Sequence, residues 1–133
     1  MKSSPPDAPV GSLSFDDGRI IRDVNRAGVE LLGRSRAALV GQPLNVILPL
    51  AARIFFDAHL LPVLMLEGRV EAVYVSLRGP NDRPIPVLLD AKRIAHEGVT
   101  RNLCGFVSVR GRHLLERELA WVAGNLDEAM RGK

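Results

Sequence analysis

The chain has 133 residues, 47% of them hydrophobic, with 18 Lys and Arg against 15 Asp and Glu for a formal charge of +3. That length suits one domain able to bury about two-thirds of its unfolded surface, and the composition is that of a soluble globular protein rather than a disordered one. Basic and acidic residues are interspersed, without the aromatic-interleaved basic block that nucleic-acid binding favours, so nucleic acid is not an expected partner.

No run approaches the roughly 18 uncharged apolar residues of a membrane span, and MKSSPPDAPVG lacks the apolar core of a secretory signal. The expected location is cytoplasmic. A single cysteine, Cys104, leaves no partner for an internal disulfide and no cysteine-based zinc site.

Residues 1–10, with Pro5, Pro6 and Pro9, read as a flexible lead, residues 11–110 as the domain, and residues 111–133 as a terminal amphipathic helix. Ser12–Phe15 alternates as a short strand. Asp16-Asp17-Gly18 is hairpin-turn chemistry in which Gly supplies positive φ, and Arg19–Val24 is the return strand. Asn25 stands where an N-cap belongs, and the helix behind it, through Val29, Leu31 and Leu32, stops at Gly33. Ser35 caps a second short turn that Gly41-Gln42-Pro43 breaks, and Leu44–Leu48 makes a further apolar helical piece before Pro49.

A long helix is expected over about Leu50–Leu66, ending at Gly68, with a kink or break near Leu60 because Pro62 lacks an amide donor. Val73, Val75 and Leu77 then alternate with polar positions. Gly79-Pro80-Asn81-Asp82 turns the chain, and Ile85, Val87, Leu89 and Ala91 share one face of the next strand. His96-Glu97-Gly98 turns it again into a last strand, Asn102–Val109. There Leu103, Gly105, Val107 and Val109 are assigned inward, and Cys104, Phe106 and Ser108 outward. A helix feeding a long hairpin is a cavity-forming arrangement. Phe55, Phe56, His59, Leu60, Val63, Leu64, Val75, Leu89 and Val107 are the candidate pocket lining.

Beyond Gly111, the residues Leu115, Leu119, Val122, Leu126 and Ala129 are spaced 4-3-4-3, a heptad seam of about two heptads. It reads equally as an interface or as a terminal helix packed on its own domain. Trp121, one position off the seam, together with Tyr74 and Phe106 on the outer sheet face, points to a homodimer or domain-docking surface through Leu115, Leu119, Trp121, Val122 and Leu126.

The run DDGRIIRDVNRAGVELLGRSRAALVGQPL, followed after the long helix by Gly68 and by Arg83-Pro84-Ile85-Pro86-Val87, resembles the PAS family in element order and in motif over about residues 10–110. At the hairpin, Asn81-Asp82 replaces the family's usual Asp-Gly. The resemblance implies an α+β fold: a five-stranded antiparallel sheet with short helices and one long helix on one face, a pocket between them, and a C-terminal signalling helix. It implies a sensory or regulatory module, binding a small ligand or relaying a signal by dimerisation, beside a fused or separate output domain of bacterial two-component or cyclic-dinucleotide signalling. A ligand-free docking domain with a filled core is the alternative from a different class.

Resemblance also frames the chemistry. The long helix supplies the iron ligand in haem-binding members, so His59 is a candidate haem ligand, a pocket histidine orienting a polar ligand, or a surface residue. No cofactor is the leading expectation. A light-driven flavin adduct needs an Asn-Cys-Arg-Phe-Leu-Gln motif on a helix, whereas Cys104 follows Asn102-Leu103 in a strand. His113, in Arg112-His113-Leu114-Leu115-Glu116, lacks the context of a phospho-accepting histidine. The paired carboxylates Asp16-Asp17 and Asp127-Glu128 fall in a turn and on a helix surface, without the convergence that acid–base catalysis needs. No catalytic or metal-binding residues are therefore assigned.

Overall fold

The computed structural model describes residues 10–109. In chain order they form β1 (Gly11–Phe15), β2 (Ile21–Val24), α1 (Arg26–Leu32), α2 (Arg36–Leu39) and a 3₁₀ turn (Leu44–Ile47). Next come α3 (Leu50–Phe55), a π-helical turn (Phe56–Leu60) and α4 (Leu61–Glu67), then β3 (Arg69–Arg78), β4 (Pro84–His96) and β5 (Val99–Ser108). The strands make one antiparallel sheet in the order β2-β1-β5-β4-β3.

Local chemistry sets most boundaries. Asn25 Oδ1 accepts from Gly28 N at 2.8 Å and from Ser12 N at 2.9 Å, so one side chain caps α1 and ties it to β1. Gly33 closes α1 at φ 70°, and Ser35 Oγ caps α2 through Ala38 N at 3.1 Å. Gly68 ends α4 at φ 83°.

The first hairpin differs from expectation. Arg19 N donates to Asp16 O at 2.8 Å, and the left-handed residue is Arg19 (φ 68°) rather than Gly18. Asp16 Oδ1 takes Ile20 N at 3.0 Å, which satisfies an amide that the turn would otherwise leave open. At the β3–β4 tip, Pro80–Asp82 forms a 3₁₀ turn with Asn81 and Asp82 both at φ 58°.

The long helix is continuous, and the expected break takes the form of a π turn just before Pro62. Leu61 N donates to Phe56 O, five residues back. A wide turn is one way a helix accommodates a proline whose ring crowds the carbonyl four residues behind it.

Candidate functional site

The helices and the sheet's inner face enclose one apolar interior. The register makes that face: Val73 pairs with Leu89, Val75 with Val87 and Leu77 with Ile85, while Leu89 pairs with Phe106 and Ala91 with Cys104. Directly opposed residues point the same way. From the helix side come Phe56, Leu60 and Leu64, spaced by four and all buried. The Phe15 and Phe56 rings meet at 5.9 Å with their planes 54° apart, joining β1 to the π turn.

Little space remains between these layers. The gap lined by Leu13, Leu44, Ile47, Leu48, Phe56, Leu77, Leu89, Cys104 and Phe106 has a volume of about 20 Å³. That is room for about one water, but water would find no polar partners in this lining. Burial pushes the Cys104 thiol up to about 12, so it packs as a small hydrophobe and is a poor nucleophile at neutral pH.

Four of the proposed lining residues beside Phe56 meet the interior: Leu60, Leu64, Val75 and Leu89 are buried there. Phe55, half-buried, packs against the core from its edge, whereas His59 and Val63 are exposed. Each stands one position before the buried row Phe56, Leu60 and Leu64, which places it about 100° round the helix. His59 stacks on Phe55 at 5.6 Å, outside the interior. Val107 pairs with Leu88 on the outer sheet face, so the assignment of β5 is reversed. Cys104 and Phe106 point in, and Leu103 and Val107 point out. Both faces of β5 are rich in apolar residues, and pairing with β1 and β4 decides between them.

Haem does not fit this arrangement. His59 turns away from the interior, and about 20 Å³ cannot hold a macrocycle. Among the described residues no group of three or more His, Cys, Asp or Glu is placed to hold a metal ion, and no helix is long and apolar enough to cross a membrane. His113, Asp127-Glu128 and the proposed interface residues Leu115, Leu119, Trp121, Val122 and Leu126 lie outside the described residues.

One polar cluster went unread in the sequence. Asn102, fully buried on β5, donates from Nδ2 to Phe15 O at 3.2 Å and to Asp17 Oδ1 at 3.1 Å, and accepts from Arg93 Nη1 at 3.0 Å. Arg93 grips Asp17 with two nitrogens, at 2.8 and 3.2 Å, and its Nη1 also reaches Met65 Sδ at 2.9 Å. Its backbone N donates to Gly68 O at 2.8 Å. The corner thus joins the β1–β2 turn, β4, β5 and the end of α4. The hydrogen bonds from Arg93 and Asn102 hold the Asp17 carboxyl below its usual range, and the Asp17 carboxylate in turn raises Arg93. A polar residue amid the apolar alternation of β5 was the available sign.

A family model described as "PAS fold" matches residues 6–110. The chain is 31% identical over 113 residues to phosphoserine phosphatase RsbP of Bacillus subtilis (strain 168), a match covering 85% of this chain and 28% of that protein. Among solved structures, the PAS domain of a Colwellia psychrerythraea protein superposes with a TM-score of 0.68 at 15% identity, covering 75% of this chain and 86% of that one. The PAS domain of nitrogen regulation protein NR(II) from Vibrio parahaemolyticus gives 0.60 at 21%, covering 75% and 89%. A third, from a LuxR-family transcriptional regulator of Burkholderia thailandensis and solved in complex with ethanol, gives 0.62 at 17%, covering 76% and 89%.

Proposed function

Because the chain belongs to the PAS family, a signalling and sensory module, we propose that it works as a conformational relay whose interior is closed at rest. The observation that carries this reading is the interior itself. The gap between Phe56, Leu77, Leu89 and Phe106 holds only about 20 Å³, which favours a state relayed by the packing of the long helix on the sheet. The π turn lies over that interior, and a helix with one wide turn has a nearby alternative, the regular α-helix. A signal that favours one phase moves Phe56 and Leu60 against Phe15 and Leu89, and residues beyond Val109 transmit the change.

The neighbour solved with ethanol supports a second reading, in which a small, weakly polar ligand enters by prising Phe56 from Phe15. The chain spans about 28% of the length of RsbP, and the output we assign by that analogy is a phosphatase acting on phosphoserine, fused or separate. Pairing of two copies through Leu115, Leu119, Trp121, Val122 and Leu126 belongs to the same proposal, as one form of output.

Native mass spectrometry of the purified full chain is the test. A bare-chain mass, unchanged in millimolar ethanol, supports the closed relay. A retained small molecule, or stoichiometric uptake of ethanol accompanied by shifts of Phe56 and Leu89 resonances, overturns it in favour of the ligand reading.

A further inference from the structure

The long helix buries one row and exposes another made almost wholly of hydrocarbon. Leu50, Ile54, Ala58, Pro62 and Leu66 recur at every fourth position, and all five are exposed, with Leu50 at 65%, Ile54 at 61% and Leu66 at 85%. A solvated helix face is normally polar, so a stripe of this kind marks an interaction surface. We propose that it is the docking site of this chain's own C-terminal segment, residues 111–133. The idea rests on the relay reading and names where its output segment sits at rest.

Three observations select that occupant. The first is position. Val109 N donates to Pro86 O at 3.1 Å, at the end of the sheet where Arg78 Nη2 reaches Asn45 O at 3.2 Å, and the chain runs from Asn45 into Leu50. The segment therefore starts at the end of the domain where the stripe begins. The second is length and pattern. Leu115, Leu119, Val122, Leu126 and Ala129 span about 21 Å if helical, and the stripe from Leu50 to Leu66 spans about 24 Å. A seam spaced 4-3-4-3 interdigitates with a ridge spaced by fours in the commonest shallow-angle helix packing. The third is size. A helix face of this length and about 10 Å width offers roughly 240 Å², well below the roughly 800 Å² per partner of a stable free complex. A tethered segment does not face that threshold, because the tether supplies an effective concentration in the millimolar range.

The two rows of one helix would then be coupled. Phe56, Leu60 and Leu64 touch the interior, and the stripe behind them holds the segment. A change of phase at the π turn rotates one row against the other and frees the segment to pair with a second copy or an output domain.

The test is maleimide labelling of the full chain carrying Ala58→Cys, in the middle of the stripe. Cys104, buried with its thiol pushed up to about 12, does not compete. With the natural segment, labelling should be at least about ten-fold slower than with Leu119→Asp and Val122→Asp added, and dilution should leave the protection unchanged. Val99→Cys, exposed at the β4–β5 turn, is the control, and its rate should not respond to the added aspartates. Equal rates at Ala58→Cys with and without the aspartates overturn the proposal. Protection lost on dilution also overturns it, because the cover is then a second copy. No ligand enters the experiment, so its outcome is independent of whether the interior opens.

Discussion

The interior and the Asp17–Arg93–Asn102 corner hold the same two layers together by opposite means. In the interior, contact is between hydrocarbon surfaces, and stability follows the volume filled and the area removed from water. At the corner, three side chains satisfy one another and Phe15 O, and the arrangement depends on each donor meeting its acceptor. The interior should tolerate a change of shape and resist a change of volume. The corner should resist a change of chemistry even at constant volume. The relay proposed above would need both: a packed region that can settle in more than one phase, and a fixed point against which it moves.

The largest effect should come from emptying the interior. Leu64→Ala removes a fully buried side chain from the row that faces the sheet, and should cost about 2–5 kcal/mol in urea unfolding. A loss under about 1 kcal/mol would mean that the helix collapses into the space and the packing is softer than described.

At the corner, Asn102→Leu keeps a similar volume and removes the amide. Phe15 O loses a donor and Arg93 an acceptor, so the cost should be about 1–3 kcal/mol by the same measurement. A neutral result would erase the contrast between the regions. Leu64→Met, the volume-conserving exchange in the interior, should cost less than about 1.5 kcal/mol. The order of these two substitutions tests the comparison most sharply.

A smaller effect is expected from pH. Asp17 and Asp16 are both held below the ordinary carboxylate value of 3.8, Asp17 by hydrogen bonds from Arg93 and Asn102 and Asp16 chiefly by the Ile20 amide. A depressed folded-state pKa contributes stability that is complete above the unfolded value and is lost as pH falls through the folded one. Stability should therefore decline as pH drops below about 4, and Asp17→Asn should flatten part of that decline while leaving the Asp16 part. An unchanged acid limb in Asp17→Asn would show that the pair contributes nothing measurable.

Much of the framework was legible because its determinants are local. The caps Asn25 and Ser35, the stops at Gly33 and Gly68, the strand from Val73 to Leu77 and the face of Ile85, Val87, Leu89 and Ala91 each depend on residues within a few positions. The candidate site was half legible. Phe56, Leu60 and Leu64 are buried as expected, but Phe55, His59 and Val63 are not. In an apolar helix every row is a candidate for the inside, and one step along the chain is about 100° of rotation. β5 failed for the same reason in a different period, since Leu103 and Val107 are as apolar as Cys104 and Phe106.

The sequence by itself determined the order of the strands and helices, the caps and glycine stops of the first helices, and the resemblance to a PAS module, although β5 begins at Val99 rather than at the expected Asn102 and β2 at Ile21 rather than Arg19. Those follow from backbone chemistry and from alternation between unlike residues. Only the tertiary structure decided which face of an apolar strand or helix looks inward, that the interior is filled to about 20 Å³, and that Asp17, Arg93 and Asn102 meet. These depend on residues far apart in the chain, such as Asp17 and Asn102, 85 positions apart, whose proximity is fixed by strand pairing and volume rather than by any local preference.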